Sequence, residues 1–286
     1  MRTTMDDTTD VEAQLSRAAE AIRRADALVI GAGAGMGVDS GLPDFRGDEG
    51  FWNAYPPYRR LGVSFIEMAN PAHFRQDPAF AWGFYGHRRN LYRATVPHEG
   101  FQILRRWSER CREGSFVFTS NVDGQFQRAG FAEDRIDECH GAIDWSQCLE
   151  SCGAGIFPGG DEQVEIDMET MRAADPLPAC PKCGGLARPN ILMFGDWGWE
   201  DERNRRQSRK LHAWLAKLEG KRVVAVECGA GGAIPTVRRF CERTAATQGG
   251  TLIRINPREP GVPRGGIGLS LGAREALERI DAALSR

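Results

Sequence analysis

Residues 27–37 read ALVIGAGAGMG, and this stretch decides the fold. Ala27–Ile30 is an unbroken apolar run, the signature of a strand buried on both faces of a parallel sheet. It ends in glycine at every second position from Gly31 to Gly37. Such small residues let backbone N–H groups approach a pyrophosphate, and a helix starting just beyond adds a favourable field. The glycines alone also suit a plain tight strand-to-helix turn. No clear acidic residue stands about 20 positions further on, which argues against an ordinary dehydrogenase.

Outward from this stretch the pattern recurs. Phe116–Thr119, residues 135–139, Arg222–Val226 and Leu252–Ile255 read as further buried strands, and the third of these leads into Gly229-Ala-Gly-Gly232. Helical periodicity covers 11–25, 78–94, 97–110, 207–219, 235–246 and 272–284, with short helices and loops expected in the aromatic, Pro-rich stretch 47–75. Alternation of this kind predicts an α/β fold: a Rossmann-like parallel sheet with helices on both faces. Ligands of such sheets sit at the carboxyl ends of the strands.

Composition narrows the function. Glycine makes up 34 of 286 residues, and 37 Lys and Arg against 39 Asp and Glu give a formal charge of −2. That balance gives no support to nucleic acid as a partner. No run of apolar residues is long enough to span a membrane. The N-terminal MRTTMDDTTD lacks a signal peptide's apolar core, so a cytoplasmic protein is expected. Eight cysteines in a reducing compartment then need a reason other than disulfides. Cys148, Cys152, Cys180 and Cys183 supply one: the spacing C-x3-C and C-x2-C suits a closed, structural zinc shell of four thiolates. Pro181 and Gly184 suit a tight knuckle there. The polar segment between the pairs is too poor in apolar residues to fold without metal. The remaining cysteines, Cys111, Cys139, Cys228 and Cys241, are expected to be buried thiols.

Taken together, the motifs resemble those of the sirtuins, the NAD-dependent protein deacylases. The stretch from Gly33 to Arg46, GAGMGVDSGLPDFR, is similar to that family's first signature. Thr119-Ser-Asn121-Val-Asp123, His140-Gly141, the four cysteines, Arg188–Asp196, Gly229-Ala-Gly231 and Ile255-Asn256 follow in the family's order. The resemblance implies a Rossmann-like NAD-binding domain (11–46, 111–140 and 186–286), a helical insert (47–110) and a small zinc-binding module (141–185). It also implies NAD at Gly33, Ala34, Gly35, Asp44, Phe45, Arg46, Ser120, Asn121, Asp123, Gly229, Ala230, Gly231 and Asn256. His140 would be the general base toward a ribose hydroxyl, assisted by Asn121 and Asp123. The implied reaction passes the acyl group of a protein lysine to ADP-ribose and expels nicotinamide. From local sequence alone, Asn121 and Asp123 equally suit an Asx turn at a strand end. His73, His98 and His212 lie outside any motif and read as surface or capping residues.

The same resemblance places substrate at Met193, Phe194 and Gly195. Tyr85 and Arg88, three apart and so on one helix face, are similar to the pair with which desuccinylase-type members hold an acidic acyl tail. A guanidinium suits a carboxylate, although the same spacing fits an amphipathic helix with Arg88 in solvent. The basic run Arg203–Lys210 reads as a solvated helix face or a partner surface. Gly37, Ser120 and Gly231 depart from the family's usual Ser, Gln and Ser. Each removes a side-chain hydrogen bond, which leaves NAD-dependent ADP-ribosyl transfer or NAD hydrolysis open as an alternative.

Overall fold

The computed structural model describes residues 4–44 and 47–285. In chain order its strands are β1 (Ala27–Ala32), β2 (Ser115–Thr119), β3 (Ile136–Glu138), β4 (Gly141–Cys148), β5 (Ile156–Pro158), β6 (Ile166–Asp167), β7 (Arg172–Ala173), β8 (Ala187–Ile191), β9 (Val223–Cys228), β10 (Thr251–Ile255) and β11 (Ile267–Leu269). The helices are α1 (Thr4–Arg23), α2 (Gly47–Ala54), α3 (Pro56–Arg60), α4 (Phe65–Met68), α5 (His73–Gln76), α6 (Pro78–Ala94), α7 (Glu99–Arg110), α8 (Gln125–Arg128), α9 (Glu202–Leu215), α10 (Thr236–Thr247) and α11 (Ala273–Leu284).

Six strands form one parallel sheet in the order β11-β10-β9-β1-β2-β3. Both of its faces are covered, as the unbroken apolar strands require. Leu28, Ile30, Val117 and Ile253 pack with Leu15 of α1, Trp107 of α7 and Leu277 of α11. Val29, Phe116 and Leu252 face the other way onto Trp214 of α9 and Phe240 of α10. A third apolar cluster joins α2–α6 to the small sheet β5-β4-β8 through Phe51, Tyr58, Trp82, Ile143 and Ile191.

Residues 148–185 are of low regularity, as expected, holding the end of β4, the short β5 paired antiparallel with it and the two-residue pair β6 and β7. β4 also pairs antiparallel with β8. Two expectations need correction. The glycine stretch leads into two 3₁₀ turns, Ala34–Met36 and Val38–Ser40, rather than into an α-helix. The helix read over 207–219 begins at Glu202, and of its basic run Arg205, Arg206, Arg209 and Lys210 are solvated as expected while Arg203 is not. Arg203 is buried, ion-paired to Glu138 at 2.6 Å and stacked over Trp145. Asn204 and Ser208 donate to Asp137, and Gln207 contacts Glu138. The edge strand β3, which ends two residues before His140, is thus covered by the polar side of α9. Edge strands need such covering, and buried carboxylates need such partners.

His98 caps α7 by accepting from the Gly100 N–H at 3.0 Å. It is buried rather than superficial, its other ring nitrogen lying 2.9 Å from the Met36 carbonyl. His212 is exposed. Cys111, Cys228 and Cys241 are buried as expected, whereas Cys139 keeps partial exposure.

Candidate active site

The sheet reverses direction at β1: the chain runs from β1 to β2 and β3 on one side and returns to β9 on the other. Open α/β sheets bind ligands outside the strand ends at such a reversal. Here a cleft of about 640 Å³ opens at that place. The loops after β1 and β9 meet at its floor. Gly35 N–H donates to the Gly229 carbonyl at 3.0 Å. A Cβ on Gly229, whose φ is +63°, would stand 2.3 Å from the Gly35 carbonyl carbon, and one on Gly33 would stand 2.7 Å from Ala230 Cα. Part of the glycine content is therefore demanded by one loop crossing the other, not only by a ligand.

Gly33, Ala34, Asp44, Ser120, Asn121, Asp123, His140, Gly229, Ala230 and Gly231 line the cleft. Two sequence-read residues stay out of its wall. Gly35 is spent on the loop crossing. Asn256 is fully buried, donates to the Ala230 carbonyl at 2.9 Å and accepts from the Arg258 and Glu259 N–H groups. Its contact with the site is thus through the loop it holds. Phe45 and Arg46 lie outside the described residues.

His140 sits between β3 and β4 with little exposure. Burial pushes its pKa below the ordinary histidine range, opposed by a hydrogen bond with the Ser120 backbone. The ring is accordingly neutral near pH 7 and able to take a proton. Asn121 follows β2 and donates its amide to the Gly33 carbonyl at 3.0 Å. Asp123 accepts from the Gln125 N–H at 3.0 Å, so the local turn read from sequence is present along with its place in the cleft wall. Burial raises the Asp123 carboxyl to about 6.

The helical insert supplies another wall. Tyr85 and Arg88 both line the cleft, and Arg88 is only 7% exposed, which removes the solvent reading. Its guanidinium lies 5.1 Å from the Phe84 ring centroid, 5.7 Å from Tyr85 and 5.3 Å from Tyr92. Arg88 Nε donates to Tyr92 Oη at 2.8 Å. Tyr92 was not singled out from sequence, although its place four residues after Arg88 on one helix was a usable signal. Leu42 and Val122, unnamed members of two of the sequence motifs, and Phe65, outside any motif, add apolar wall.

Met193, Phe194 and Gly195 follow β8 into the cleft. Their loop is pinned by a buried fork in which Arg188 donates to both Asp196 oxygens at 2.7 and 2.9 Å. The Phe194 N–H adds a bond to the Ala69 carbonyl of the insert.

Away from the cleft, the four cysteine Sγ atoms lie within 4.8 Å of one another. Cys148 and Cys183 are 3.7 Å apart and Cys152 and Cys180 3.6 Å. A tetrahedral shell with Zn–S of about 2.3 Å has sulfur separations of about 3.8 Å, so the set fits one zinc ion. Backbone N–H groups of Cys183 and Lys182 lower the Cys180 thiol pKa, as expected of a knuckle that favours thiolate.

Residues 33–216 match the Sir2 family. The chain is 35% identical over 169 residues to an NAD-dependent protein deacylase of Aquifex aeolicus, a match covering 59% of this chain and 62% of that relative. It is 30% identical over 254 residues to an NAD-dependent protein deacylase of Aeropyrum pernix, covering 88% and 90% of the two chains. The chain thus spans less than two thirds of the first of these relatives and most of the second. The crystal structure of a Sir2 homolog–NAD complex superposes with a TM-score of 0.69 at 26% identity, covering 94% of this chain and 93% of that one.

Proposed function

The chain belongs to the Sir2 family, and we propose that it removes acyl groups from protein lysines with NAD and water, yielding free lysine, nicotinamide and O-acyl-ADP-ribose. The observation that carries the reading is the convergence of His140, Asn121 and Asp123 on one cleft with both glycine loops. NAD, when bound, supplies an electrophilic anomeric carbon bearing a good leaving group. The two crossed loops, Gly33–Ala34 and Gly229–Gly231, offer backbone at the carboxyl ends of β1 and β9 for its phosphates. His140, kept neutral by burial, takes the proton of a ribose hydroxyl on an imidazole nitrogen. Asn121, its amide fixed on Gly33, has its carbonyl oxygen left to orient a hydroxyl or a water. Asp123, with a pKa near 6, is mostly ionised at pH 7 and accepts from a carboxamide N–H. The apolar wall formed by Leu42, Phe65 and Val122 keeps bulk water from competing.

Selection of an acidic acyl chain is part of the same proposal. A buried guanidinium with Tyr85 beside it in the cleft wall suits a carboxylate at the end of a short acyl chain. The zinc site is structural, since four thiolates leave no open position. Cytoplasmic residence is supported by the cysteine usage, four thiolates suited to zinc and four thiols outside any disulfide, which suits a reducing compartment.

Incubation with NAD and with acetyl-, succinyl- and glutaryl-lysine peptides, read by mass, tests the reading. Free lysine together with O-acyl-ADP-ribose is expected, fastest from the acidic acyl chains. Nicotinamide release without free lysine, or an ADP-ribose mass gain on protein, would give the chain to NAD hydrolysis or ADP-ribosyl transfer instead.

A further inference from the structure

Trp197 has no part in the chemistry above, yet it lines the same cleft and its side chain is 100% exposed. An indole carries one of the largest apolar surfaces of any side chain, and an isolated exposed one gains nothing from folding. Two further exposed apolar side chains line that cleft, Leu192 from the same loop and Ile234 from the loop after β9. The exposure is not the looseness of an untethered loop. Asp196, on one side of Trp197, is held in the buried fork from Arg188. Gly198, on the other side, donates to Asp196 Oδ1 at 3.2 Å and accepts from Gln147 Nε2 at 2.7 Å. The buried Gln147 and Asn190 extend this network to the Glu200 backbone. The backbone is therefore fixed on both sides of a side chain that touches nothing. Rigid presentation of an aromatic group is how binding surfaces lower the ordering cost of association.

We infer that Trp197 is a specificity-determining residue, docking an apolar side chain of the polypeptide that flanks the acylated lysine, with Leu192 and Ile234 completing the apolar rim. The inference rests on the proposed deacylation, because it takes the cleft's occupant to be a polypeptide. The apolar choice follows from the company the indole keeps: both neighbours on the rim are aliphatic.

Paired peptides test it, each carrying one acyl-lysine and differing only in Leu or Ser at the positions within three residues of it. The unmodified protein should favour the Leu member by tenfold or more in kcat/KM, mostly through KM. In Trp197→Ala that preference should fall to within about twofold, and Trp197→Phe should keep most of it. A second readout uses His140→Ala, which binds peptide without turning it over. The part of the fluorescence lost in Trp197→Phe should become shielded from acrylamide when the Leu peptide is added. An unchanged flank preference in Trp197→Ala, or no shielding, overturns the inference. So does sedimentation showing a dimer that Trp197→Ala dissociates, which would assign the indole to a second copy of the chain. If no peptide is turned over whatever its flank, the deacylase reading itself fails. Turnover without flank preference sinks the Trp197 inference alone.

Discussion

His140 and Arg88 show how burial sets chemistry at single residues. Desolvation lowers the His140 pKa, so the neutral base persists to lower pH than an ordinary histidine would allow. The sign follows: activity is full above the folded-state pKa and falls as pH drops through it, below 6.5. Protonation of this buried ring also costs stability, so unfolding should become easier over the same acid window. A pH profile of kcat with its acid limb at or above 7 would contradict this. His140→Ala should lose at least about a hundredfold in kcat, measured by release of free lysine and O-acyl-ADP-ribose in single turnover. At Arg88, Lys keeps the charge and loses the fork. A hydrogen bond to a charged group contributes roughly 1.5–3 kcal/mol, so Arg88→Lys should lower the succinyl-to-acetyl ratio of kcat/KM by about tenfold or more. His140 and Arg88 were both visible in the sequence through their neighbours. Burial was not: the solvated and the cleft-facing readings of Arg88 share one helical pattern, and only the packing of Phe84, Tyr85 and Tyr92 around it separates them.

At the scale of elements, the apolar strands and the glycines after them were legible because each is a local signal of a few residues. What failed was long-range pairing. Arg203 reads as surface charge until Glu138, far away in sequence, is seen to close on it at 2.6 Å. β4 and β8 hid behind the cysteines and glycines beside them, since an antiparallel pair joined by a long module leaves no hairpin signal. The α9–β3 contact yields a prediction. Arg203→Met leaves the buried Glu138 carboxylate uncompensated and should cost about 3 kcal/mol, read from urea unfolding. Pairing it with Glu138→Gln should recover much of the loss. If the single variant is as stable as the parent, the contact contributes nothing and the account of the β3 edge is wrong. The loop crossing makes a similar demand. Gly229→Ala places a Cβ against Gly35 at φ +63° and should destabilise by about 1–3 kcal/mol, with weakened NAD binding by calorimetry.

Across the whole molecule, two apolar clusters hold the parallel sheet and a third holds the insert to the small sheet β5-β4-β8. The cleft takes residues from both parts: Gly33 and Gly229 from loops of the large sheet, Tyr85 and Arg88 from the insert, Met193 from the loop after β8. Helix α6 binds the cysteine module by its backbone. Arg89 donates to the Gly159 and Glu162 carbonyls, and Asn90 exchanges bonds with Val164. Zinc removal with a strong chelator should therefore loosen α6 as well as the knuckles. The expected result is a fall of roughly 5 °C or more in the unfolding midpoint and faster proteolysis between Cys152 and Cys180. An unaltered midpoint after verified zinc loss would refute the structural role.

The central claim is that this cleft couples NAD cleavage to deacylation of lysine. Its most direct test is the stoichiometry of the products from one succinyl-lysine peptide, followed together by mass over the first turnovers. Nicotinamide, free lysine and O-succinyl-ADP-ribose should appear in equal amounts, and neither free lysine nor O-succinyl-ADP-ribose should appear with His140→Ala on the same timescale. Nicotinamide and ADP-ribose accumulating while the peptide keeps its acyl group, or lysine freed without NAD, would contradict the account.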